Sequence, residues 1–196
     1  MPPLNHAVLS ASSAYRWLEC PPSALATADI PDETTIYAQE GSAAHEMAEY
    51  KIRWHLGAKD LAPPNVGNFN AEEIDRYTDS YAYYATDKIE TIRKICPDAI
   101  VMVEQRLDFS NYVKDGFGTG DLVIVADDVL QVIDFKYGKG VTVSAELNPQ
   151  MMLYALGALN LYGYLYDIKT VKTAIVQPRL DNISEWEISV DVLLEW

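Results

Sequence analysis

The chain has 196 residues, 49% of them hydrophobic and 22% charged, the balance of a soluble globular protein with enough length for one domain around a buried core. Its 15 Lys and Arg against 29 Asp and Glu leave a formal net charge of −14, which argues against a passive nucleic-acid coat, because such a coat needs a basic footprint to replace phosphate counterions. No apolar run approaches the roughly 20 residues of a membrane span, and the N-terminus lacks the pattern of a secretory signal. Cys20 and Cys96 form no C-x-x-C pair, so free thiols in a cytoplasmic protein are expected.

In chain order, Ser12 or Ser13 can cap a short helix through Leu18, and Pro21 and Pro22 suit the first turn of another. A longer helix is predicted over 37–56, ending near Gly57. After a loop containing Pro63, Pro64 and Gly67, Asn70 caps a helix from Ala71 to Ile95. Its Tyr77, Tyr81, Tyr84, Lys88 and Ile92 recur at helical spacing, a packing stripe rather than a base-stacking platform. Beyond Pro97 the period changes to that of strands: Ile100 to Phe109, Thr119 to Ala126, and Val129 to Phe135. A helix from Pro149 to about Leu165 and strands over Thr170 to Gln177 and Ser184 to Val190 follow. The chain closes on Leu193, Leu194 and Trp196, from which a longer natural protein is expected.

This order implies one domain over 1–196, mainly helical over 1–95, with a sheet core over 99–190 interrupted by the helix 149–165. The fold class is α/β, with a mixed sheet flanked by helices. Charge is uneven along it. Residues 133–180 carry five basic and three acidic side chains, a local excess of two positive charges in an acidic protein.

If Asp127 and Asp128 form the turn between the second and third strands, Ala126 faces Val129 and Asp121 faces Asp134. Directly opposed residues have Cβ atoms roughly 4.5–5.5 Å apart, so two carboxylates would converge and repel unless a cation neutralised them. Mg²⁺, held by one or two carboxylates with water and phosphate, is an economical neutraliser. Lys136, two residues beyond Asp134, points to the same face. Two acids and an amine at a sheet edge suit phosphodiester hydrolysis, although taken singly each residue is as well explained by a turn or a solvated rim. Asp-Asp is also a poorer hairpin pair than Asn-Gly, so a bulge that shifts the register is the alternative.

Four motifs occur in order: G-x-x-x-H at Gly41 to His45, G-x-x-D at Gly118 to Asp121, D-F-K-Y-G at Asp134 to Gly138, and Q-x-x-x-Y at Gln150 to Tyr154. Together they resemble the PD-(D/E)xK nucleases of the RecB and Cas4 type. The opening Ser13-Ala-Tyr-Arg-Trp-Leu-Glu-Cys-Pro-Pro-Ser23 resembles phage and prophage DUF2800 proteins of that superfamily. The resemblance implies a restriction-endonuclease-like core with an N-terminal helical region. It implies Mg²⁺ or Mn²⁺ held by His45, Asp121, Asp134 and the Phe135 carbonyl, with Lys136 catalytic. Gln150 and Tyr154 would help position substrate or water, against ordinary helix packing. Glu40 and Glu104 are candidates to support the site or to add a metal ligand, against the plainer reading of solvated or salt-bridged glutamates.

The expected activity is that of a metal-dependent deoxyribonuclease, an exonuclease in phage or prophage recombination or DNA processing within a bacterial cell. DNA is the expected partner, along with a recombination protein, and the oligomeric state is open. The alternative is an inactive nucleic-acid-binding or assembly module on the same fold. The cysteine cluster that holds an iron–sulfur centre in Cas4-like members has no counterpart here, so none is expected.

Overall fold

The computed structural model describes residues 7–26 and 35–196. Its elements are α1 (Ala14–Glu19), α2 (Pro22–Ala26), α3 (Ile36–His55), α4 (Ala71–Ile95), β1 (Ile100–Asp108), β2 (Phe117–Ala126), β3 (Val129–Phe135), α5 (Pro149–Tyr162), β4 (Thr170–Gln177), β5 (Asn182–Ser189) and α6 (Val190–Glu195). The five strands form one mixed sheet in the order β1-β2-β3-β4-β5. β3 and β4 are parallel, joined through α5, and the other neighbours are antiparallel. Among the described residues no helix is long and apolar enough to cross a membrane.

Both faces of the sheet are apolar, so both must be covered. Val123, Val125, Leu130 and Val132 pack against Met151, Met152, Ala155 and Leu156 of α5. Leu122, Ile124, Ile133 and Phe135 pack against Ala44, Ala48 and Ile52 of α3 and Ile74, Tyr81, Ala85 and Ile89 of α4. The tyrosine stripe of α4 is packing, as its spacing implies: Tyr81 stacks on Phe135 with ring centroids 4.6 Å apart, and the Tyr84 hydroxyl donates to Glu185. α5 is apolar around its circumference because Ala11, Ala14 and Trp17 cover it from the N-terminal side and Leu193 of α6 joins the same cluster. Gly157 lets it lie close to β1, since a Cβ there would stand 3.0 Å from that of Leu107.

The helices Thr35 and Asn70 cap follow the sequence expectation closely, each cap accepting a backbone N–H from the first turn. Several boundaries differ, among them β2, which begins at Phe117 rather than Thr119. A 3-10 turn over Ala11–Ser13 precedes α1, where the Ser13 side chain bonds to Ser10 instead of capping. α5 stops at Tyr162, short of Leu165, and β5 begins at Asn182. The end of the chain forms a helical turn capped by Ser189, which buries Leu193. The Asp-Asp turn holds without a register shift because Asp127 adopts a left-handed φ of 46°, a conformation that Asp tolerates better than most residues.

Candidate functional site

The β2–β3 ladder runs from Ala126↔Val129 to Leu122↔Ile133, the register expected from sequence, and its recorded pairs stop there. The next residues, Asp121 and Asp134, sit where the two strands part. Asp121 Oδ2 accepts the Phe135 N–H at 2.6 Å in place of a ladder bond. The Lys136 N–H donates at 2.9 Å to the Val176 carbonyl on the β4 side. Across the planar trans peptide, the Phe135 carbonyl therefore points the other way, toward Asp121.

His45, from the middle of α3, brings its Nδ1 to 3.2 Å from Asp121 Oδ1 and its ring to 5.2 Å from that of Phe135. Burial disfavours the imidazolium, and the Asp121 carboxylate opposes this most strongly, through charge and hydrogen bond. With Asp134 and Glu104 adding, His45 is held up at about 9. Glu104 is the residue that sequence reasoning undervalued. It falls between the pairs Val103↔Leu122 and Gln105↔Gly120, opposite Asp121, and its φ of 53° takes it out of the ladder. Its carboxylate joins His45 and Asp121 so that one ligand atom from each lies within 4.8 Å of the others. Burial, and next the Asp121 charge, push it up to about 7. Strand alternation puts it on the opposite face from Val101 and Val103, and its left-handed backbone interrupts that alternation.

Asp134, 3% exposed, is engaged differently from the expectation of two directly facing carboxylates. Its Oδ1 accepts from Gln150 Nε2 at 3.0 Å, and its Oδ2 lies 2.9 Å from Lys136 Nζ. Burial raises its proton affinity, which Lys136 partly counters. Lys136 Nζ also donates to Gln150 Oε1 at 2.9 Å, and Gln150 Nε2 reaches the Tyr154 hydroxyl at 3.2 Å. Gln150 owes its direction to α5, whose first turn is fixed by Asn148 accepting the N–H groups of Gln150 and Met151. Tyr154 can cross β2 because residue 118 is glycine; a Cβ there would stand 2.7 Å from its Cε1. Glu40 lies apart from these groups, paired with Arg179 at 3.2 Å. His55 pairs with Glu90 on the α3–α4 surface, and His6 lies outside the described residues.

This donor set fits a divalent cation. One imidazole and the carboxylates of Glu104 and Asp121 converge, with the Phe135 carbonyl on the same side. Asp134 Oδ2 is buried and, beyond its ion pair, accepts no hydrogen bond of good geometry among the described residues.

Among solved structures the chain is similar to one titled "Crystal structure of SSO0001", at 17% identity over 90% of this chain and 77% of that one. The TM-score is 0.28, too low to carry an argument about fold or function. The family described as "Protein of unknown function (DUF2800)" matches residues 6–196. With almost its whole length covered by that match, the chain belongs to the DUF2800 family.

Proposed function

We propose that this protein is a Mn²⁺- or Mg²⁺-dependent deoxyribonuclease with a PD-(D/E)xK-type core. The observation that carries the reading is the convergence of His45, Glu104 and Asp121 beside the linked group Asp134, Lys136 and Gln150. A bound divalent cation supplies positive charge that offsets the carboxylates and polarises a phosphate oxygen. The chain itself supplies orientation and a second positive charge. Lys136, pinned by Asp134 and Gln150, presents an ammonium that stabilises the negative charge growing on the phosphate as the water oxygen bonds to phosphorus and releases its proton to solvent, while the P–O ester bond breaks and the leaving oxygen takes up a proton from solvent. Gln150 bridges Asp134, Lys136 and Tyr154, and so fixes the direction of the ion-paired acid and amine.

An open cleft lies beside these groups. Gly41, Gly138 and Gly140 line a cleft with His45 and Lys136. None of the three has a positive φ, and a Cβ at any of them would meet nothing within 4 Å among the described residues. Neither backbone conformation nor internal packing calls for glycine there, whereas close approach of an external chain does.

The test is cleavage of labelled single- and double-stranded DNA with Mn²⁺ or Mg²⁺, alongside Lys136→Ala and Asp134→Ala. Each variant is expected to lose roughly 100-fold or more in rate. Equal cleavage by wild type and both variants, or none by the metal-loaded wild type, would sink the assignment. The second outcome favours an inactive nucleic-acid-binding or assembly module, and of these two the net charge of −14 supports assembly.

A further inference from the structure

Arg179 stands in the short turn Pro178–Leu180 after β4, and no sequence motif marks it. Its side chain is 6% exposed. Nη1 donates to Glu40 Oε2 at 3.2 Å and Nη2 to Glu73 Oε1 at 2.8 Å. The guanidinium carbon lies 4.3 Å from the ring centroid of Tyr137 and 5.8 Å from that of Tyr77. Lys139 reaches the same Glu73 oxygen at 3.1 Å.

A planar fork that stacks and pairs in two directions at once is what arginine offers and lysine does not. So buried a cation is tolerated only while its carboxylates stay in place, and removal of either side leaves an uncompensated charge. The arginine therefore ties down four segments. Glu40 belongs to α3, five residues before His45; Glu73 belongs to the first turn of α4; Tyr137 directly follows Lys136; and Arg179 itself closes β4. His45 and Lys136 come from different layers of the fold, and this clamp bridges the segments that carry them.

We propose that Arg179 is a positioning residue, which holds the His45-bearing helix α3 against the end of β3 so that His45 stays in reach of Asp121 and Glu104. The proposal rests on reading that cluster as a divalent-cation site. It explains why Glu40 and Lys139 lie close to the site motifs without joining the cluster: both belong to the clamp.

The experiment compares the wild type with Arg179→Lys in two measurements. One is amide hydrogen exchange of the metal-free protein, and the other is calorimetric binding of Mn²⁺ alone. Arg179→Lys should exchange faster over residues 36–45 and 136–140 while α5 is unchanged, and should bind Mn²⁺ roughly 10- to 100-fold more weakly, the usual effect of losing a group that orients a ligand. Ile89→Val, a buried deletion in α4 outside the clamp, should weaken the fold and leave Mn²⁺ affinity alone. Glu40→Gln should act in the same direction as Arg179→Lys, and it stands in should that variant not fold. Wild-type Mn²⁺ affinity in the clamp variants, or unchanged exchange over residues 36–45, overturns the proposal. Should the wild type itself bind no Mn²⁺, the cation reading falls, and the exchange pattern alone decides whether the clamp exists.

Discussion

Glu104 has a left-handed backbone, which costs a non-glycine residue roughly 1–2 kcal/mol and persists only where surrounding structure enforces it. Glu104→Asn retains a residue that tolerates this φ but removes the carboxylate. It should leave thermal stability at neutral pH unchanged or raised, and weaken Mn²⁺ binding at least roughly 10-fold by calorimetry. The same cluster sets a pH dependence whose sign follows from linkage. Glu104 is raised from 4.5 to about 7 and His45 from 6.5 to about 9, so the folded state binds more protons than the unfolded chain across both windows. Stability of the metal-free protein should fall as pH rises from 4.5 through about 7 for Glu104, and from 6.5 through about 9 for His45. Bound cation must displace those protons, so Mn²⁺ affinity should rise over the same range. Chemical denaturation with a chelator across this range checks the first statement, and a flat profile there refutes it.

At the scale of elements, α3 delivers His45 and α5 delivers Gln150 and Tyr154 to acids and a lysine carried by the strands, and each helix has one local feature that bears on the site. Gly41 lies inside α3, where glycine is about 1 kcal/mol less favourable than alanine. Since a Cβ there meets nothing, Gly41→Ala should stabilise the fold by about that amount while slowing cleavage, because the methyl narrows the cleft. A gain in stability with full activity would leave the cleft without a role in substrate binding. In α5, Asn148→Ala removes the cap that directs Gln150 and should cost about 1 kcal/mol, with a parallel loss of rate. Denaturation and cleavage assays on the same preparations read both effects.

For the molecule as a whole, a charge of −14 restricts how DNA is held. The cleft and its rim offer Lys136 and Lys139 as cations, and Lys139 is shared with Glu73. The logarithm of the DNA-binding constant should therefore fall with the logarithm of salt concentration at a slope no steeper than about −2, for two phosphate contacts at most. Binding should require a divalent ion. Fluorescence anisotropy over a salt series measures the slope, and a much steeper one would point to a basic surface elsewhere.

Much of the fold was legible before the structure because local rules carry it. The helix caps at Asn70 and Asn148, the change of period after Pro97 and the alternation on β2 and β3 each depend on neighbours in sequence. The hairpin register followed from two opposed apolar patterns and a turn, which brought Asp121 and Asp134 to the same strand ends. Glu104 was legible only as a secondary candidate, and Arg179 was not legible at all. Glu104 joins His45 only because one left-handed residue re-aims it, and Arg179 meets Glu40 across 139 positions of chain. The sequence by itself determined how β2 and β3 pair and which residue types reach their shared end of the sheet. Only tertiary packing decided which side chains face one another there, because contacts between layers depend on how helices are laid over the sheet, and no local periodicity encodes that.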